Sequence, residues 1–144
     1  MAGTADLNGF LARVGADIGA ENVNLVEETI TRYSENTMPA GDRRPAAVVY
    51  PGSTAEVAAI VKAANDHGVP LYPISTGNNV GLGTRSAPSA DMVVLDLGRR
   101  MNRILELDEK LGYAAIEPGV SFQMMADELM RRGGQWMMSV TSGP

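Results

Sequence analysis

Apolar residues recur along the chain with two different periods, and the switches between them mark its elements. Leu7, Phe10, Leu11, Val14 and Ile18 fall on one helical stripe, which predicts an amphipathic helix over residues 5–19. A weaker helical stretch covers Leu25 to Tyr33, and the proline-bracketed polar segment Met38 to Pro45 closes it off. Ala46 to Tyr50 is a short apolar, β-branched run ending at Pro51-Gly52, the pattern of a buried strand. Ser53 with Glu56 forms a capping box, and Val57, Ile60, Val61 and Ala64 give the following helix one apolar face. Gly68 and Pro70 stop that helix, and Leu71 to Ile74 reads as a second strand. The three elements form a βαβ unit, with parallel strands and a right-handed crossover.

A third strand is predicted at Met92 to Asp96. Arg103–Leu107 and Tyr113–Glu117 form a hairpin through the turn Asp108 to Gly112. Ser121 N-caps a last helix with Phe122, Met125, Ala126 and Leu129 on one face, stopped by Gly133-Gly134. Trp136 to Val140 reads as the start of a further strand, with Trp136 as its buried anchor. Met124, Met125, Met130, Met137 and Met138 read as core filling. The expected fold class is α+β: a small parallel βαβ sheet flanked by helices, plus a β-hairpin. Residues 1–45 form an N-terminal helical extension to the main unit, 46–144.

Composition narrows the function. With 144 residues, 44% hydrophobic and 20% charged, the chain fits one globular domain. A formal charge of −5 argues against a nucleic-acid surface. No apolar run approaches a membrane span, and the start shows no basic, then apolar, leader. A cytoplasmic location without membrane contact is the expectation. The absence of cysteine removes disulfides, thiol nucleophiles and thiolate metal sites, and a single histidine removes most His-based metal sites and argues against a His-dependent triad. That histidine, His67, closes a predicted helix, where an imidazole interacts favourably with the helix dipole. The Arg99-Arg100 and Arg131-Arg132 pairs read as solvated surface charge.

Chemistry points to the connection Ser75 to Ala90, long for a compact domain. It opens Ser75-Thr76-Gly77-Asn78-Asn79-Val80-Gly81-Leu82-Gly83, with no Lys or Arg from Ser75 to Thr84. Glycines let backbone N–H groups converge into a nest for anionic oxygens. A nest without lysine suits a pyrophosphate held by dipoles rather than a reacting triphosphate. The loop lacks the Lys-Ser/Thr ending of a Walker A motif, and its glycine order differs from GxGxxG. From the loop alone, a glycine-rich surface loop without a ligand is an equal reading.

Four further stretches stand in order around this loop: Ala47-Val48-Val49-Tyr50-Pro51 with Ser53 to Val57, Pro70 to Asn79, Val93 to Leu97 leading to Met101 to Ile104, and Ala115 to Val120. With them, residues 46–144 resemble the first part of the FAD-binding domain of the vanillyl-alcohol oxidase / p-cresol methylhydroxylase (PCMH-type) flavoproteins. The resemblance implies FAD as cofactor, its diphosphate bound by the backbone of Ser75, Thr76, Gly77, Asn78, Asn79, Val80, Gly81, Leu82 and Gly83. It brings Pro118 and Gly119 to the cofactor too, and aligns the family's next flavin loop with Ser142 and Gly143. It implies an oxidoreductase passing hydride from an alcohol or activated C–H substrate to FAD. The partners implied are a small-molecule substrate, an electron acceptor (oxygen or a cytochrome), and a remaining C-terminal part carrying a second subdomain and a substrate domain.

Two positions depart from the pattern. Leu82 stands where the alkylphenol-oxidising branch has a phenolate-binding tyrosine, and the loop has no histidine for a covalent flavin link. No residue is assigned as catalytic. Glu117 fits a turn or ribose-binding role better than a general base, Asn78 and Asn79 are cofactor contacts or Asx-turn residues, and Arg85 screens a diphosphate or is a solvated loop arginine. The alternatives are a non-catalytic FAD- or nucleotide-binding module, and a flavoenzyme acting on hydroxy acids or sugars.

Overall fold

Asp6 opens the first helix, accepting from the Gly9 N–H at 2.9 Å, and the predicted stripe then buries Phe10, Val14 and Ile18. This helix, α1, spans Leu7–Ile18 in a computed structural model that describes residues 5–35, 43–77 and 85–139. A 3-10 turn, Ala20–Asn22, leads to β1 (Val23–Asn24) and α2 (Glu27–Ser34). Then follow β2 (Ala47–Val49), α3 (Thr54–His67), β3 (Leu71–Ile74) and β4 (Val93–Asp96). The chain goes on to β5 (Ile104–Asp108), β6 (Tyr113–Ile116) and α4 (Phe122–Arg131). The class is the expected α+β, a four-stranded sheet with helices plus a two-stranded hairpin.

Strand order is β1-β2-β4-β3, with β1 antiparallel to β2 and the other three parallel. The βαβ unit is therefore parallel as expected, but its two strands are not neighbours, because β4 inserts between them. Pro73 explains which strand takes the edge: it has no N–H for a second ladder, whereas β4 is buried at every position. Strand β1 is too short to show a sequence period and was not expected. Alternation does the rest. Ala47, Val49, Val93 and Leu95 pack with Phe10, Val14, Ile18 and Ile60 of α1 and α3. Val48, Tyr50, Val94 and Ile74 face the other way, onto Ile30 and Tyr33 of α2. The N-terminal helices thus contribute to both cores.

The caps follow the sequence closely. Ser53 accepts from Glu56 N–H at 3.2 Å, Gly68 is left-handed at φ +67°, and Gly112 closes the hairpin turn at φ +70°. The Glu56 carboxylate reaches back to Gly52 N–H (2.8 Å) and pairs with Arg100 (2.9 Å). Arg131 and Arg132 both bond Glu128, so neither arginine pair is simply solvated. Those two guanidiniums hold the Glu128 carboxyl down at about 2.

The C-terminal expectations need correction. Residues 135–139 form no strand, since no described strand lies beside them to share a ladder. Trp136 is 47% exposed and rests against the hairpin turn rather than anchoring a core. Of the five methionines expected in the core only Met125 is buried, while Met130 and Met137 are 71% and 87% exposed. No described element covers that face of α4.

Candidate cofactor-binding site

Parallel strands put their carboxyl ends, and the loops leaving them, on one edge of the sheet. Ile74 pairs with Asp96, and the Leu97 N–H donates to the Ile74 carbonyl at 2.9 Å. The exits of β3 and β4 are thereby tied together. From β3 the chain turns through Ser75 and Thr76 into Gly77, left-handed at φ +72°. From β4 it turns through Gly98. A methyl on Gly98 would lie 2.4 Å from the Ser75 carbonyl oxygen and 3.1 Å from Thr76 Cα. Backbone lies on backbone here.

A third strip completes the arrangement. The Gly119 N–H donates to the Met101 carbonyl at 2.7 Å, and a methyl on Gly119 would meet the Gly98 oxygen at 2.3 Å. Residues 75–77, 97–101 and 117–119 are thus layered, so Ser75, Thr76 and Gly77 are brought to Gly119 through Gly98. Arg85 returns to the same place: its Cβ would be 3.3 Å from a methyl on Gly77. Asn78, Asn79, Val80, Gly81, Leu82, Gly83, Ser142 and Gly143 lie outside the described residues.

Two buried carboxylates hold the layers. Asp96 is 8% exposed; one oxygen accepts from Gly98 N–H (2.9 Å) and Arg99 N–H (3.1 Å), the other from the Tyr33 hydroxyl (2.5 Å). Burial first, and that bond second, push the Tyr33 hydroxyl pKa well up, so it stays a donor. Arg99 lies over the Tyr50 ring at 4.4 Å. Glu117 accepts from the Arg103 N–H (2.8 Å) and guanidinium (2.7 Å), bonds that hold its carboxyl below the usual range. With both oxygens engaged it is a brace for the Pro118-Gly119 turn, as the sequence favoured, and not a poised base. Glu117→Gln is expected to lower the melting temperature by several degrees at neutral pH. A depressed carboxyl pKa contributes its full stabilisation above the ordinary glutamate range and loses it as pH falls from there through the lowered value, so the gap to wild type closes over that span. Melting curves across that range check both points.

Neither Asp96 nor Gly98 was singled out from sequence, although an Asp two residues before a Gly at a strand end signals an Asx turn. His67 belongs elsewhere. It ends α3 at the amino ends of the strands, with Nδ1 3.0 Å from the Asp6 carboxylate. A hollow of about 210 Å³ between the hairpin and α4, lined by Leu107, Tyr113, Met125, Leu129 and Trp136, shares no residue with the cradle. Among the described residues no group of three or more acidic, His or Cys side chains is placed to hold a metal, and no helix is long and apolar enough to cross a membrane.

Close-packed glycine backbone with a left-handed turn, at the carboxyl ends of parallel strands, is the setting in which α/β sheets commonly bind the phosphates of nucleotide cofactors. The small residues Gly77, Gly98 and Gly119 and the internal pairing of Asp96 and Glu117 are compatible with a diphosphate at this edge. The family model of the FAD binding domain matches residues 45–144, and the chain belongs to that family. FAD is accordingly its cofactor. Among curated relatives, 1'-carboxy-chondrochloren decarboxylase of Chondromyces crocatus is 44% identical over 138 residues, 96% of this chain and 25% of the relative. The solved 4-ethylphenol oxidase of Gulosibacter chungangensis is 34% identical with a TM-score of 0.86, covering 96% of this chain and 27% of that one. Substrate-bound p-cresol methylhydroxylase is 31% identical with a TM-score of 0.89, covering 96% and 28%. The resemblance read from the motifs is borne out, and the chain spans about a quarter of the length of these proteins.

Proposed function

We propose that this chain is the FAD-holding portion of a flavin-dependent oxidoreductase that takes hydride from an alcohol or activated C–H substrate. The observation that carries the reading is the backbone layering of Ser75–Thr76, Gly98 and Gly119 at the carboxyl edge of the sheet. In this reading the diphosphate is bound by Ser75, Thr76, Gly77, Asn78, Asn79, Val80, Gly81, Leu82 and Gly83. Pro118, Gly119, Ser142 and Gly143 approach the same cofactor, and Arg85 beside Gly77 offsets its charge. When bound, the flavin supplies the hydride acceptor. The described residues bind and orient it, and substrate chemistry belongs to other parts of a longer polypeptide, with oxygen or a cytochrome as electron acceptor.

A carboxylate-bearing substrate is the second reading. It is favoured by the decarboxylase of that name at 44% identity and by Leu82, which offers no hydroxyl to a phenolate. The test is the full-length protein, purified and supplemented with FAD, then assayed against panels of 4-alkylphenols and carboxylated hydroxy compounds. Expected are visible flavin absorbance that survives desalting, and flavin reduction by one panel. Absence of retained flavin would sink the proposal.

A further inference from the structure

The family match begins at residue 45, yet one bond to the cradle comes from before it. Tyr33 stands in the last turn of α2, 7% exposed, and its hydroxyl donates to Asp96 at 2.5 Å across 63 positions of sequence. Asp96 is the final residue of β4, and its other oxygen collects the N–H groups of Gly98 and Arg99. The carboxylate is therefore clamped from two sides: the turn leaving β4 on one, helix α2 on the other.

That turn is the middle layer of the cradle. Gly98 is pressed against Ser75 and Thr76 on one side and Gly119 on the other, with no space for a methyl group on either glycine. Any rotation of the Asp96 carboxylate moves the turn that sets the spacing between the outer layers. A carboxylate held only on one oxygen by two backbone amides can still twist with them within the broad torsional well of its terminal bond. The Tyr33 hydroxyl removes that freedom. Being buried and bonded to a carboxylate, the hydroxyl remains protonated through the whole physiological range and keeps its role as donor.

We propose that Tyr33 is a positioning residue for the cofactor: helix α2, outside the family domain, sets the FAD diphosphate cradle through the Tyr33 hydroxyl, Asp96 and the turn at Gly98. The ring and the hydroxyl of Tyr33 do different work. The ring packs with Ile30 and Val48 and supports the fold, while the hydroxyl aligns Asp96. The proposal rests on the FAD reading above.

The experiment compares wild type, Tyr33→Phe, Asp96→Asn, the double variant and Ile30→Val, all in the full-length protein. FAD dissociation constants come from flavin fluorescence, and deuterium uptake is followed over residues 97–101 in the FAD-free protein. Loss of a hydrogen bond to a charged group predicts that Tyr33→Phe weakens FAD binding about ten- to a hundredfold. It also speeds exchange over residues 97–101. Two changes on one relay are not additive, so Tyr33→Phe made on top of Asp96→Asn is expected to add little. Ile30→Val disturbs the same helix face without touching the relay, and it is expected to lower the melting temperature while leaving FAD affinity within about twofold. Tight FAD binding by Tyr33→Phe overturns the proposal, and so does equal loosening by Ile30→Val, which would make the effect one of fold stability. Wild-type protein that fails to bind FAD overturns the cradle reading itself, and this proposal with it.

Discussion

Gly98→Ala is expected to abolish FAD retention by the full-length protein and to cost about 1–3 kcal/mol of stability through overpacking. The added methyl would sit 2.4 Å from the Ser75 carbonyl oxygen and 2.8 Å from the carbonyl carbon, well inside van der Waals contact. A flexible side chain could swing away from such a clash, but the strained atoms here are main chain. Ser75 is anchored by β3, and Gly98 by the Asp96 carboxylate, so the two strips can only move apart. Separation of those strips is loss of the cradle. Conformational freedom is not the reason for the glycine, because Gly98 does not have a left-handed φ. Gly133 makes the contrast: it has φ +118° and nothing within 4 Å, so alanine there is strained by its backbone alone and leaves FAD binding intact. Gly119 shares the contact from the other side, and Gly98→Ala with Gly119→Ala is therefore expected to be less than additive. Flavin content after desalting and urea midpoints test all three; a flavin-loaded Gly98→Ala protein with a wild-type midpoint would refute the layered cradle.

The sequence made legible whatever local chemistry decides. Ser53, Gly68, Ser121 and Gly112 each carry their own reason to start or stop an element, and each does so where read. The strand at Ala46 to Tyr50 was readable as buried, and the structure adds that alternation sends Val48 and Val49 to opposite cores. Pairing was not readable. That β4 enters between β2 and β3 depends on which strand tolerates an edge, and Pro73 gave that signal only once the alternatives were known. The short β1 exists solely because Val23 finds Val49. At the site, the glycine-rich loop stood out as a motif, while Asp96 passed as an ordinary strand end. Its donor, Tyr33, is 63 positions away, beyond the reach of any local pattern. The failures at Trp136 and Met137 share one cause. Apolar residues at helical or alternating spacing predict burial only where another element arrives to cover them.

Phe10→Ala is expected to cost about 3–5 kcal/mol, out of the roughly 5–15 kcal/mol that holds a typical domain together. Phe10 is fully buried and packs with Val14, Ile18 and Ile60 where α1 crosses α3. The cavity left by its ring would be walled by β2, β4 and α3 together, elements too well tied by the sheet to collapse into it. The loss matters because Phe10 lies 35 positions before the family match begins at residue 45. Were residues 5–35 an appendage to an autonomous FAD domain, emptying α1 of its largest side chain would leave that domain's unfolding unchanged. The packing demands the opposite: α1 shields the face of the sheet formed by Ala47, Val49, Val93 and Leu95, and α2 shields the other face and reaches the cradle through Tyr33. Urea unfolding of the full-length protein, followed by circular dichroism and by flavin release, separates the two cases. With Phe10→Ala both transitions are expected to shift to lower urea together, whereas Leu25→Ala, at a side chain 57% exposed in the same segment, shifts neither by more than about 0.5 kcal/mol equivalent. An unshifted flavin-release curve for Phe10→Ala would show that the cradle folds without α1.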